Sequence, residues 1–149
     1  MICRVRAIIK RDNTLLLVRH KNPTNSHTHG SWVLPGGHVE DGEMLVDAVR
    51  RELQEELGVD ARVGNLLYVH QFMSAGAYSG PEFFFGVEDS PLFDSINLSN
   101  TSHGLSEIAE IGFYDPRTLD GVLPPFLTEV VADIDMKAAT RLITTEIGV

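Results

Sequence analysis

The stretch G-H-V-E-D-G-E-M-L-V-D-A-V-R-R-E-L-Q-E-E-L-G-V, Gly37 through Val59, decides how this chain is read. From Glu43 to Leu57 it holds neither Pro nor Gly, and Leu45, Ala48, Val49 and Leu53 recur at spacings of three and four. That period belongs to a helix with one buried face. Leu57 extends the stripe by a turn, and Gly58 is suited to a left-handed C-terminal cap. Ahead of the helix, Gly36-Gly37 follows directly on Leu34-Pro35. Without side chains, that pair lets the backbone pass close to another group.

On the helix, Glu52 and Glu56 stand four apart and Glu55 lies three from Glu52, so the spacing predicts three carboxylates on one side. Like charges at that separation repel by a few tenths of a kcal/mol per pair, about 0.2–0.5. Such a cluster favours a cation. Hard oxygen ligands with no neighbouring Cys or paired His select magnesium or manganese over zinc or copper. A Glu run more commonly marks a solvated helix face. The fixed distances to the glycine pair, Glu43 and Arg51 set this one apart.

The order is Gly37, five residues, Glu43, seven residues, Arg51-Glu52-Leu53, Gln54, Glu55-Glu56, Leu57, Gly58-Val59. It resembles the complete Nudix box without a mismatch, and chance would produce such a match in a chain this short less than roughly once in a million. The resemblance implies a Nudix hydrolase, which cleaves nucleoside diphosphates linked to another group using magnesium or another divalent metal. It also implies an α/β fold, an α/β/α sandwich with a mixed central sheet. Residue by residue, Gly37 would offer a backbone carbonyl to the metal, and Glu52, Glu55 and Glu56 would bind metal or act in catalysis. Glu40 sits where many relatives carry a further acidic residue, while Glu43 and Arg51 would brace loop against helix. Arg51 is also a fixed cation able to hold a catalytic Glu by charge-assisted hydrogen bonds.

Net charge sharpens the chemistry. Twelve Lys and Arg against 21 Asp and Glu leave −9, an awkward balance for binding polyphosphate that bridging metal ions would remove. The expected reaction is in-line attack of a metal-activated water on one phosphorus of a diphosphate, without a covalent intermediate. The base that takes the water's proton is open. Glu52, Glu55 and Glu56 are not ranked by spacing, and outside the box Glu107, six residues before Phe113, competes with Glu110. Glu107 is carried as both a catalytic and a metal-binding candidate. Arg6 and Arg19 are candidates for the outer phosphates, alongside Gly36 and Gly37. Arg4 shares a strand face with Arg6 and is read as solvent-facing.

With 149 residues, 43% of them hydrophobic, the chain suits one domain over residues 1–149 that buries a proper core. No run approaches the ~18 apolar residues of a membrane span, so a soluble cytoplasmic protein is expected. The lone Cys3 excludes an internal disulfide and disfavours a Cys-based metal site. Strands are predicted near Ile2–Ile9, Thr14–Arg19, Ser31–Leu34, Arg62–Met73, Glu82–Val87 and Glu110–Tyr114. The first turn falls at Arg11-Asp12-Asn13, and a closing helix is predicted over Phe126–Arg141. His20, His27 and His29 gather around the loop Asn22-Pro23-Thr24-Asn25, which lacks a ligand-pair spacing and reads as a solvated flank of the substrate entrance together with Phe72 to Pro81. His38 reads as a loop residue and Trp32 as a strand aromatic.

Three functions compete. The leading one is hydrolysis of a nucleoside triphosphate or related small nucleotide. A dinucleoside polyphosphate or nucleotide sugar of the ADP-ribose type is the second substrate class, although Tyr78 and Pro81 fit its marker spacings poorly. A non-catalytic nucleotide sensor is the third, and the intact Glu52, Glu55 and Glu56 argue against it. The acidic charge disfavours nucleic acid polymers. No membrane partner is expected, and a homodimer is compatible with the sequence.

Overall fold

The computed structural model describes residues 2–21, 30–74 and 76–147. Strand β1 (Arg4–Ile8) runs through β2 (Lys10–Arg11) into β3 (Thr14–His20). The predicted turn joins β2 to β3, with Asp12 at φ 50°, a left-handed conformation that Asp tolerates better than most residues. Then come β4 (Trp32–Val33), β5 (Gly36–His38), helix α1 (Leu45–Leu57), β6 (Val63–Ser74) and β7 (Ala77–Val87). After two 3-10 turns follow α2 (Gly104–Glu107), β8 (Ile108–Tyr114), β9 (Val122–Leu123), α3 (Phe126–Val130) and β10 (Arg141–Ile147).

The architecture is mixed α/β, and its strands divide between two sheets. One has the order β10-β6-β7-β1-β5, with β10 parallel to β6 and β7 parallel to β1, and antiparallel pairing elsewhere. In the other, β2, β3, β4 and β9 are neighbours in that order and β8 also pairs with β3.

Alternation along β1 sends Val5 and Ala7 to one face and Arg6 and Ile8 to the other. Val5 and Ala7 join Ala48, Val49, Leu53 and Leu57 of α1 in one core, while Ile8 joins Leu17, Leu34, Phe84 and Phe126 in a second. The apolar stripe of α1 is therefore what docks the acidic helix on the sheet. Each fully buried Leu or Val contributes about 1.5–3 kcal/mol.

The predicted closing helix is a correction. Helix α3 ends at Val130 and passes into a 3-10 turn, Val131–Asp133; Arg141–Ile147 is a strand. Phe126, Leu127, Val131 and Ile134 are buried at helix-like spacing, which is why the pattern reads as helical. Further on, the Asp135 side chain accepts a hydrogen bond from the Lys137 backbone N–H at 2.9 Å. Such local bonds compete with helix formation. The β-branched run Ile143-Thr144-Thr145 then suits β10, which lies in register on Tyr68 through Ser74 of β6.

Candidate active site

Helix α1 begins after Met44, whose backbone is extended, and Gly58 closes it at φ 69° with its N–H bonded to the Gln54 carbonyl. The packing of Val49, Leu53 and Leu57 fixes which way the acidic residues turn. Glu56 is 3% exposed, and its Oε2 has no hydrogen-bond partner among the described residues. Burial, then the adjoining Glu52 carboxylate, pushes the Glu56 carboxyl well above the ordinary range. An acid side chain buried beside another, with an orphaned oxygen, is an expensive arrangement unless a proton or cation joins it.

Glu52 turns under the glycine bend. A methyl group placed on Gly37 would lie 2.5 Å from Glu52 Oε1 and 2.9 Å from Oε2. Gly36 has φ 149°, and its missing Cβ would meet the Val5 carbonyl oxygen at 2.0 Å. Thus one glycine makes room for strand β1 and the next for a carboxylate. The β1–β5 ladder pairs Arg6 with Gly36 and Val5 with Gly37, so the bend is held by backbone.

Arg51 is the hub of the charge arrangement. Its Nε donates to Glu43 Oε2 at 2.8 Å and its Nη2 to Glu43 Oε1 at 3.0 Å. Nη2 also donates to the His38 carbonyl at 2.9 Å, while Nη1 reaches Glu52 at 3.0 Å and Glu55 at 3.2 Å. Hydrogen bonding to Arg51 in turn lowers the Glu43 carboxyl. The brace between loop and helix expected of Glu43 and Arg51 has this geometry. Glu40, on the exposed loop, lies 3.7 Å from Arg51.

Glu55 stands apart from the other two, with Oε2 shared between Arg51 and, at 3.7 Å, His103 Nδ1. Among the described residues, no three acidic, Cys or His side chains converge closely enough to hold a cation as they stand. Two features nevertheless fit a divalent ion: the Glu56 oxygen left without a partner among the described residues, and the Glu52 carboxylate seated against the Gly37 backbone beside it. Oxygen donors of this kind suit magnesium or manganese.

The short helix α2 docks on the end of α1. The His103 N–H donates to the Glu55 carbonyl at 3.0 Å, and Ser102 Oγ reaches the same oxygen at 3.4 Å. Glu107 ends α2 on the exposed surface, and its charge helps raise the Glu56 carboxyl. Glu110 instead pairs with Arg19 on the neighbouring strand. Arg19 also lies over the Trp32 ring, 5.5 Å from its centroid. Arg6 donates to Glu82 and to the Leu34 carbonyl, each at 3.2 Å. Trp32 is the strand aromatic expected from the sequence, but buried rather than half-buried, and tilted on Tyr114 with ring centroids 4.8 Å apart. His27, His29 and residues 22–25 lie outside the described residues.

Sequence reasoning missed Glu82 and His70, which adjoin the site through Arg6. It also gave no place beside the box to His20, whose pKa is lowered by burial and by Arg6, against an opposing pull from Glu52. A Glu and a His on separate strands carry no spacing signal.

An acidic helix docked under a two-glycine bend on a mixed α/β scaffold defines a Nudix-type domain. The family model for the NUDIX domain matches residues 3–133, and the chain belongs to that family. It is 41% identical over 78 residues to an ADP-ribose pyrophosphatase of Methanocaldococcus jannaschii, covering 52% of this chain and 40% of that protein. It is 45% identical over 71 residues to a CTP pyrophosphohydrolase of Escherichia coli, covering 48% of this chain and 51% of that protein. The matched part thus spans about half, or less, of these relatives' lengths. A solved NUDIX hydrolase from Nitrosomonas europaea shares the fold with a TM-score of 0.70 at 19% identity, over 97% of this chain and 78% of that one. Among the described residues, no helix is long and apolar enough to cross a membrane.

Proposed function

We propose that the protein hydrolyses a diphosphate linkage in a small nucleoside diphosphate derivative, with a nucleoside triphosphate as the leading substrate and magnesium or manganese as cofactor. The observation that carries this reading is the buried Glu56 oxygen, without a partner among the described residues, beside the Glu52 carboxylate that lies under the glycine bend. Glu52, Glu56 and the Gly37 carbonyl would hold the cation, and Glu55 would join them on leaving Arg51 and His103, its present partners. When bound, it supplies charge neutralisation between carboxylates and diphosphate and lowers the pKa of an attacking water.

The chain's own residues do the rest. Arg51 keeps Glu52 and Glu55 in place through hydrogen bonds of 3.0 and 3.2 Å. Arg6, near enough to lower the Glu56 carboxyl, would take an outer phosphate, with Arg19 as the second cation. Glu107 is favoured over Glu110 as the residue accepting the water's proton, because Glu110 is engaged by Arg19. The relatives support two substrate classes: similarity to a CTP pyrophosphohydrolase favours the nucleoside triphosphate, and similarity to an ADP-ribose pyrophosphatase favours the nucleotide sugar. One domain over the whole chain is part of the same reading.

A panel of nucleoside triphosphates, ADP-ribose, UDP-glucose and dinucleoside polyphosphates with magnesium, assayed for released phosphate and pyrophosphate, tests the proposal. Turnover of one class, lost on chelation and in Glu52→Gln, supports it. Binding without turnover across the panel would move the protein to the sensor reading.

A further inference from the structure

Arg6, Glu82, His70 and Thr145 stand on four adjacent strands, β1, β7, β6 and β10, and form one hydrogen-bonded row across the sheet. Arg6 Nε donates to Glu82 Oε2 at 3.2 Å. Glu82 Oε1 lies 3.2 Å from His70 Nδ1, and His70 Nε2 lies 2.9 Å from Thr145 Oγ1. The His70 ring is 1% exposed, with the rings of Phe72, Phe84 and Phe126 around it. Facing the Glu82 carboxylate, His70 is suited to donate from Nδ1, and its Nε2 meets the Thr145 hydroxyl, which can serve as donor or acceptor. Each polar atom in the interior of the row is thereby matched, at a cost in buried charge that packing alone does not require.

The row ends at Arg6. Its Nη1 donates to the Leu34 carbonyl at 3.2 Å, and its charge is felt by Glu56, His20 and His38. Nη2 has no protein acceptor among the described residues. An unrestrained arginine would lose much of its rotamer freedom on meeting a ligand, whereas one already gripped at Nε and Nη1 loses little.

We propose that Glu82 and His70 are positioning residues, which hold Arg6 in a single orientation so that its remaining edge meets an outer phosphate of the substrate. This rests on the reading that the site binds a diphosphate. Charge alone predicts the opposite behaviour. Deleting the Glu82 anion beside a phosphate-binding arginine would strengthen phosphate binding if electrostatics ruled, and weakens it if orientation does.

The test is calorimetric binding of inorganic pyrophosphate in the presence of manganese to the wild-type protein, Arg6→Ala, Glu82→Gln and the double variant, with melting temperatures on the same samples. Arg6→Ala should weaken binding about tenfold or more, as expected for a charge-assisted hydrogen bond. Glu82→Gln should weaken it about threefold to tenfold, and in the Arg6→Ala background should add nothing further, the signature of a residue acting through another. Thr145→Val, nearly isosteric and on the outer strand, repeats the test without removing a charge and should weaken binding by a smaller factor. Unchanged or tighter binding in Glu82→Gln and Thr145→Val, or additive losses in the double variant, would overturn the proposal. Wild-type protein that binds no pyrophosphate with manganese would overturn the diphosphate reading itself, and the proposal with it.

Discussion

Gly37→Ala separates the site from the fold more cleanly than any other single change. The Gly37 backbone is not in the positive-φ region, so alanine costs nothing in torsion there. Its methyl would stand 2.5 Å from Glu52 Oε1, and regaining ordinary contact at 3.4 Å moves that carboxylate by about 0.9 Å. The obstructing atoms are the far end of a flexible side chain, so the displacement spends little folding energy, under about 1 kcal/mol. A catalytic group misplaced by roughly 1 Å, in contrast, costs on the order of 100-fold in rate. Steady-state turnover with magnesium should therefore fall about 100-fold, while the melting temperature moves by no more than about 2–4 °C. Gly36→Ala provides the contrast, because its Cβ would sit 2.0 Å from the Val5 backbone oxygen at φ 149°. That clash has no flexible partner, and it should destabilise the protein outright. Wild-type turnover in Gly37→Ala, or a loss matched by unfolding, would refute the reasoning.

Glu56→Gln should abolish turnover yet stabilise the metal-free protein. A carboxyl raised above 4.5 by burial and Glu52 costs folding energy that grows as pH climbs past the unfolded value. Its removal should return about 1–3 kcal/mol at neutral pH, visible as a higher melting temperature in chelator. Glu82 predicts the opposite limb. Burial pushes its carboxyl up, but His70 and Arg6 outweigh that and hold it at about 2 against an ordinary 4.5. Its stabilisation is complete above pH 4.5 and lost as pH falls toward 2. Glu82→Gln should thus cost about 3 kcal/mol near neutrality and converge on wild type in acid denaturation curves; parallel curves would contradict this. Glu107→Gln should lower turnover by about 100-fold or more while Glu110→Gln changes it little, and kinetics of the two variants decide which Glu serves as base.

The local part of the fold is legible in the chain. Leu45, Ala48, Val49 and Leu53 announce the helix that the structure buries at Ala48, Val49, Leu53 and Leu57, and Gly58 caps it in the left-handed region. Arg51 joined to Glu43 is what the resemblance to the Nudix box implies, and the two side chains are hydrogen-bonded at 2.8 and 3.0 Å. What the sequence does not show is set by contacts between distant segments. The row from Arg6 through Glu82 and His70 to Thr145 joins residues 76, 12 and 75 positions apart, and such pairings leave no periodic trace. The segment after Val130 misleads because Val131 and Ile134 are buried at helical spacing although the chain there is turn and loop. Strand β10 is chosen by parallel pairing with β6, a tertiary outcome that propensity alone does not dictate. Burial distinguishes the carboxylates as well: equal letters in the box become a shielded Glu56, a Glu52 under the bend and a half-exposed Glu55.

The most direct measurement is anomalous diffraction from crystals of the protein soaked in manganese. A peak bounded by the carboxylates of Glu52 and Glu56 and the carbonyl of Gly37, lost in Glu56→Gln, is the predicted result. No peak at that position, or one unaffected by Glu56→Gln, would contradict the account.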